Sequence, residues 1–180
     1  MRIIAGAWRG RTLSGPATAT RPTADRVRQA LFDTLMHAAW AGRDAIEGAE
    51  VLDVFAGTGA LGLEALSRGA ARTTFIENDR GALAILRANI ATCRADTRAT
   101  VLGVDALTVG GGSSAGLVFL DPPYGRDLVP AAMARLRVVG RIAQGALVVA
   151  ETGRAEPALA VELLDERAHG AARISVWREP

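Results

Sequence analysis

Four consecutive residues, Asp121-Pro122-Pro123-Tyr124, place a carboxylate, two prolines and an aromatic ring directly after the apolar run Gly116–Leu120. The run reads as a buried strand, so the four residues stand at its carboxyl end. An amino group on a purine or an amide is a poor nucleophile, because its lone pair is delocalised into the conjugated system. To attack an electrophilic carbon it must pyramidalise. The Asp121 carboxylate can accept one N–H, and the Pro122 carbonyl, held by proline's locked backbone, can accept another. Two such acceptors favour sp³-like geometry and the positive charge that develops in the transition state. Tyr124 offers a ring face on which a flat base can stack. The same grip suits adenine N6, guanine N2 or a glutamine amide, and an isolated tetrapeptide of this kind also serves as a tight turn. Its weight therefore depends on what precedes it.

What precedes it is a glycine-rich loop, Asp53-Val-Phe-Ala-Gly57-Thr-Gly59-Ala-Leu-Gly62, between an apolar run and an amphipathic stretch. Gly57, Gly59 and Gly62 match the spacing of a dinucleotide-binding turn, in which the backbone approaches the ligand and a helix N-terminus faces its negative group. Tight structural corners show the same spacing. Glu77, at the end of the next run, is placed to accept from both hydroxyls of a ribose, and Asp105, at the end of the third, to hold an adenine amino group. Phe55 and Ala106 complete the candidate cofactor contacts. Two features favour S-adenosylmethionine over a nicotinamide cofactor. Asp53 precedes the first glycine by four residues, where it would repel a pyrophosphate but attract the amino group of a methionine moiety. Asp121-Pro-Pro-Tyr has no part in hydride transfer.

Positioning these residues requires strands that end together. Apolar runs at Val51–Phe55, Thr73–Glu77, Ala99–Val104, Leu117–Asp121 and Ala146–Glu151 read as strands. Helical patterns at Ala60–Arg68, Gly81–Thr92 and Leu128–Val138 alternate with them, and a short helix is expected at Pro157–Ala160. Such alternation predicts a parallel sheet covered on both faces. Two further strands, Val161–Arg167 and Arg173–Arg178, are separated by hairpin length, so the last should insert antiparallel. Residues 1–13 suggest a short β-hairpin. Residues 24–39 suggest an amphipathic helix capped by Thr23, with Asp25 in its first turn and Arg26 and Arg28 away from the core stripe.

With 180 residues, 49% of them hydrophobic, the chain is expected to be one folded domain. Residues 1–40 would form an extension and 50–180 the core. No apolar run reaches the roughly 18 residues that span a membrane. Cys93 is the single cysteine, which excludes an internal disulfide and fits a reducing cytoplasm, and with two histidines the chain is too poor in ligands for a His/Cys metal site. All 21 basic residues are arginine, as GC-rich codon usage would produce. Residues 1–28 hold six of them against one acid, Asp25. That end is a candidate phosphate-binding surface, because guanidinium groups bind phosphates bidentately. Arg9, Arg11, Arg21 and Arg26 are the candidates there, joined by Arg126 just after the tetrapeptide. Trp8, beside Arg9, could stack on RNA but is expected to pack on the core.

The opening Arg2–Leu13, the segment Arg21-Pro-Thr-Ala-Asp-Arg-Val-Arg-Gln-Ala-Leu-Phe32, the loop Asp53–Arg68 and Asp121–Tyr124 together resemble the bacterial 16S rRNA guanine-N2 methyltransferase family (RsmD). The two N-terminal segments are the most specific, since the others recur in many amino-methyltransferases. The resemblance runs from residue 2 to about 126, and more loosely to the end. It implies a class I, Rossmann-like methyltransferase fold with a seven-stranded, mostly parallel sheet. It also implies methylation of guanine 966, in a hairpin loop of small-subunit rRNA within 30S subunits or their assembly intermediates. A monomer that uses S-adenosylmethionine without a metal is expected. By the same resemblance Gly57, Gly59, Glu77 and Asp105 would bind the cofactor, and Asp121, Pro122 and Tyr124 the target amine. Two alternatives stand beside this reading: the same chemistry on adenine N6 or a glutamine amide, and a non-catalytic RNA-binding assembly factor.

Overall fold

Seven apolar runs become strands, and the chain length between them decides how they pair. The computed structural model describes residues 1–15 and 22–180. Strands β1 (Glu50–Val54), β2 (Arg72–Ile76), β3 (Ala99–Leu102), β4 (Ala115–Leu120), β5 (Ile142–Gly153), β6 (Leu163–His169) and β7 (Ala172–Arg178) form one sheet, ordered β3-β2-β1-β4-β5-β7-β6. β1 pairs in parallel with β2 and with β4, β2 with β3, and β4 with β5. Crossovers long enough to return over the sheet permit this. Only Gly170 and Ala171 separate β6 from β7, so those two are antiparallel, and β7 inserts antiparallel against β5 as expected. The order reverses between β1 and β4, which leaves a crevice at the carboxyl ends of those strands.

Helices α1 (Pro22–His37), α2 (Ala60–Ser67) and α3 (Arg80–Cys93) cover one face of the sheet, and α4 (Leu128–Val138) the other. On the first face Phe32 and Leu35 of α1, Leu66 of α2 and Leu86 of α3 meet Phe75, Phe119 and Val149. On the second, Met133 and Leu136 of α4 meet Val54, Leu120 and Val148. Alternate residues of each strand serve alternate faces, as the pleat requires.

The N-terminal hairpin forms, and two other local expectations are corrected. Residues 1–13 pair antiparallel across a single bridge, Arg2 to Thr12, with Ile3 donating to the Arg11 carbonyl, Leu13 to that of Met1 and Gly10 to that of Ile3 around a 3-10 turn at Gly6–Trp8. The backbone groups left over at the turn are taken by α2. Glu64 accepts from the amides of Ile4 and Ala5, and Ser67 Oγ accepts from Trp8 and donates to the carbonyl of Ala5. Gly6 is required here, because a Cβ would lie 1.8 Å from the Ser67 carbonyl oxygen. Helix α1 begins at Pro22, so Thr23 lies inside it rather than capping it; proline suits a first turn, where its missing N–H costs nothing. Residues 157–160 form no helix. The carbonyls of Glu156 and Pro157 are bound by Arg173, and the chain crosses the second face with Leu159 and Val161 packed beneath it.

Arg28 also departs from expectation. It is buried, donates to the Arg2 carbonyl and Asp25, and stands 3.8 Å from Glu64. Glu64, fully buried, also accepts from Arg68 Nε at 2.8 Å. One carboxylate thus ties the N-terminal segment, α1 and α2 together.

Candidate active site

Parallel pairing of β1 with β4 brings the glycine loop to Asp121. Val54 lies opposite Leu120, and the Asp121 amide donates to the Val54 carbonyl. At these strand ends the described residues enclose a cavity of about 540 Å³, lined by Asp53, residues 55–58, 77–79 and 121–124, and the first turns of α2 and α3. That volume suits a ligand of nucleoside size or somewhat larger.

The three glycines of the loop have different reasons to be glycine. Gly57 lines the cavity with a positive φ of 54°, and a Cβ there would meet almost nothing. Gly59 and Gly62 face the core: a Cβ would lie 2.4 Å from Leu86 at Gly59 and 2.4 Å from Phe75 at Gly62. These two allow α2 to pack closely on the sheet and lie outside the cavity wall. Phe55, which also lines the cavity, carries a positive φ of 62° where β1 turns into the loop.

Asp53 is 1% exposed and accepts from the Gly62 amide at 2.9 Å. That amide belongs to the first turn of α2, the group that a phosphate would use in a dinucleotide fold. Burial pushes the Asp53 carboxyl up to about 8; the Gly62 hydrogen bond opposes this, while Asp121 and Glu77 add to it. Glu77 is fixed by three amides: Gly57 donates to one oxygen at 2.8 Å, and Asn78 and Asp79 to the other at 2.8 and 2.7 Å. Asp121 is raised to about 7, first by burial and then by the charge of Glu151. It also reaches solvent through the cavity mouth, which screens part of that effect. The Tyr124 phenol donates to Glu151, and burial followed by that bond pushes its ionisation well above the usual tyrosine range.

Asp53, Glu77, Asp79 and Asp121 all line the cavity, and among the described residues no arginine or histidine does. With the α2 amide already taken by the Asp53 carboxyl, a phosphate would meet carboxyl groups and no cation. A cation would find in Asp53 a buried carboxyl that no salt bridge reaches among the described residues. The donor set therefore fits S-adenosylmethionine, which carries a sulfonium and an ammonium group and no phosphate, and not a pyrophosphate-bearing cofactor.

Comparison with known proteins agrees with this geometry. The family described as Conserved hypothetical protein 95 matches residues 1–178. Ribosomal RNA small subunit methyltransferase D of Escherichia coli is 43% identical over 155 residues, covering 84% of this chain and 74% of that protein. Its Haemophilus influenzae counterpart is 36% identical over 179 residues, covering 94% and 89%. The solved structure of Escherichia coli yhhF superposes with a TM-score of 0.85 at 38% identity, covering 99% of this chain and 97% of that one. The chain belongs to the RsmD methyltransferase family.

In this RsmD-family chain the structure assembles most, but not all, of the predicted site. Asp53, Phe55, Gly57, Glu77, Asp121, Pro122 and Tyr124 share the cavity wall. Asp105 does not reach it. Its side chain accepts from the Leu107 amide at 2.8 Å, closing a local turn after β3, and it is exposed. Ala106 is buried in the core beneath α4, outside the cavity wall. Gly59, as above, is a packing residue. Among the arginines, Arg9, Arg26 and Arg126 are exposed. Arg11 donates to the Thr92 carbonyl at the end of α3, so part of its capacity is spent on the fold. Arg21 lies outside the described residues. Trp8 packs against the core, with its ring beneath the Arg98 guanidinium at 5.1 Å.

Sequence reasoning passed over Glu151, Glu156 and Asn89. Glu156 accepts from Gly125 and Gly153, pinning the chain after Tyr124 to the end of β5. Asn89, fully buried, binds the amide and carbonyl of Ser14 and the carbonyl of Thr58 in the glycine loop. A polar residue beside Leu86 and Ile90 in an apolar stripe was the available signal for Asn89. For Glu151 it was an acid ending an apolar run, as Glu77 and Asp121 do.

Proposed function

We propose that this protein methylates the exocyclic N2 amine of a guanine in 16S rRNA, within 30S subunits or their assembly intermediates, acting as a cytoplasmic monomer. The observation that carries the reading is the cavity at the sheet's reversal point, whose charged groups among the described residues are all carboxylates, with Asp121 at its mouth to grip an amine and Asp53 in place of a phosphate at α2.

S-adenosylmethionine, when bound, supplies a methyl group on a sulfonium that keeps the C–S electron pair on departure. Asp53 would hold its ammonium group, and that pairing returns the buried carboxyl to its ionised form. Glu77 retains lone pairs for the ribose hydroxyls while three amides hold it in place. Gly57 lets the backbone come close, and Phe55 closes the wall beside it. Asp121 and the Pro122 carbonyl would accept the two N–H bonds of the guanine amine, aiming its lone pair into the cavity. Tyr124, 48% exposed, presents its ring for stacking. Alignment of nucleophile and methyl carbon supplies much of the rate. Arg9, Arg26 and Arg126, with Arg21 and the remaining donors of Arg11, would bind rRNA phosphates. A hairpin-loop guanine suits so small an enzyme, because no base pair need be broken to present it.

The test incubates the protein with methyl-labelled S-adenosylmethionine and 30S subunits that lack the modification, then digests the rRNA to nucleosides. Label in N2-methylguanosine is expected. Label in N6-methyladenosine would replace guanine by adenine as the target. Tight rRNA binding without label would leave a non-catalytic assembly factor.

A further inference from the structure

Asp121 has an acidic neighbour that the tetrapeptide does not contain. β4 and β5 pair in register, with Phe119 opposite Val149 and Leu120 opposite Ala150. One step further along, Asp121 comes level with Glu151. Phe119 and Val149 both face the core of α1–α3, and by the two-residue period of the pleat Asp121 and Glu151 follow them to that side. Glu151 also accepts the Tyr124 hydroxyl. It is thus in contact with one member of the motif and adjacent to another, while standing outside the cavity wall.

The surroundings of this carboxylate are acidic. Asp121 lies beside it and Asp53 deeper in the cavity. Glu156 stands near Tyr124, with one oxygen engaged by Gly125 and Gly153. The nearest cation in sequence register, Arg173 of β7, is spent on Thr152 Oγ1, on the carbonyls of Glu156 and Pro157, and on Glu166 at 3.9 Å. Among the described residues no salt bridge reaches Glu151. A carboxylate beside a second carboxylate, with no cation to offset it, costs stability, and that cost has a use in the transfer.

Methylation leaves the amine nitrogen with four bonds and a positive charge. One N–H bond must then break, its electron pair staying on nitrogen. We propose that Glu151 is a positioning residue for this step: it aims Tyr124 through the phenol, and its charge makes Asp121 the base that takes the proton. From Asp121 the proton passes to water at the cavity mouth, which restores the carboxylate. The inference rests on the amine methylation proposed above. The raised ionisation of Asp121, to which Glu151 contributes, agrees with it, because a stronger base accepts a proton earlier along the reaction coordinate.

The test compares wild type with Glu151→Gln and Tyr124→Phe in single-turnover methylation of 30S subunits across pH, with S-adenosylhomocysteine affinity measured alongside. Gln can still accept from the phenol but carries no charge. The acid limb of the Glu151→Gln profile is expected to move down by about one pH unit and its plateau to fall about tenfold. Tyr124→Phe should lower the rate without moving the limb. An unmoved limb in a Glu151→Gln protein that binds S-adenosylhomocysteine normally overturns the inference. Should that variant not fold, carbon-13 NMR of the side-chain carboxyls in the wild type decides the matter. A two-step response of the Asp121 signal, showing a charged neighbour, supports the proposal, and a single ordinary carboxylate step overturns it. Absence of any methylation by the wild type would sink the functional reading instead, with the NMR result still bearing on Glu151.

Discussion

Replacing Asp53 by Asn should make the protein more stable and its cofactor binding weaker. In the folded protein the Asp53 carboxyl is raised to about 8 from an ordinary 3.8, chiefly by burial. Between those values the folded state holds a proton that the unfolded chain has released. Stability contributed by the protonated group is therefore fully present below about pH 4, falls as pH rises, and levels off above about pH 8, with a limiting slope of about 1.4 kcal/mol per pH unit. At pH 7.5 the accumulated loss approaches about 5 kcal/mol. Asn keeps an oxygen for the Gly62 amide and removes the titration, but buries an NH₂ without a partner at a cost of about 2 kcal/mol. The net expectation is a gain of about 3 kcal/mol at pH 7.5 and a loss of about 1 kcal/mol at pH 4.5, so that the curves for the two proteins cross. Urea unfolding of both apoproteins at half-unit steps of pH measures this directly. Calorimetry with S-adenosylhomocysteine measures the other half: loss of the ammonium partner should weaken binding about 10- to 100-fold. Parallel pH-stability curves would refute the account of Asp53 as a strained buried acid. Unchanged affinity would refute its assignment to the ammonium group.

Asp121→Ala should lower methyl transfer by about a thousandfold or more while leaving S-adenosylhomocysteine affinity within about threefold, since it removes the amine acceptor and not the ammonium site; single-turnover rates and calorimetry separate the two. Glu64→Gln should cost about 3–5 kcal/mol in urea unfolding, because Arg28 and Arg68 lose the buried charge that pairs them. Gly59→Ala should destabilise by about 2 kcal/mol, as its Cβ meets Leu86 at a positive φ. Gly57→Ala should cost only about 1 kcal/mol of backbone strain, yet weaken cofactor binding, because its Cβ points into open cavity. Equal effects of the two glycine variants on stability and affinity would overturn the division of roles drawn for the loop.

The alternation of apolar runs with helical stripes was enough to predict a parallel sheet and its antiparallel last strand. The acids at strand ends were enough to place Asp53, Glu77 and Asp121 around one cavity. These features are legible because they depend on local period and on the rule that parallel strands end on the same side. The same logic did not fix the place of Asp105, which lies outside the cavity wall. A strand-end acid can face the crevice or close its own turn, and the choice rests on whether the Leu107 amide is within reach. It found the N-terminal hairpin but not what anchors it, the hydrogen bonds from Ile4, Ala5 and Trp8 to Glu64 and Ser67. It set Arg28 away from the core stripe, because nothing local announces a carboxylate that lies 36 positions away in the chain.

The sequence by itself therefore determined the residue types on which the proposed chemistry rests. A tetrapeptide suited to an amine and a loop with an acid where a phosphate would sit are statements about residue type and spacing, and they hold wherever the chain places them. Tertiary structure decided which residues take part. Only pairing of β1 with β4 brings Asp53 within influence of Asp121, and only pairing of β4 with β5 sets Glu151 beside both Asp121 and Tyr124. Burial then moves carboxyls whose ordinary values are alike to different points on the pH scale. That last effect has no counterpart in sequence, because the free energy of a charge depends on everything packed around it.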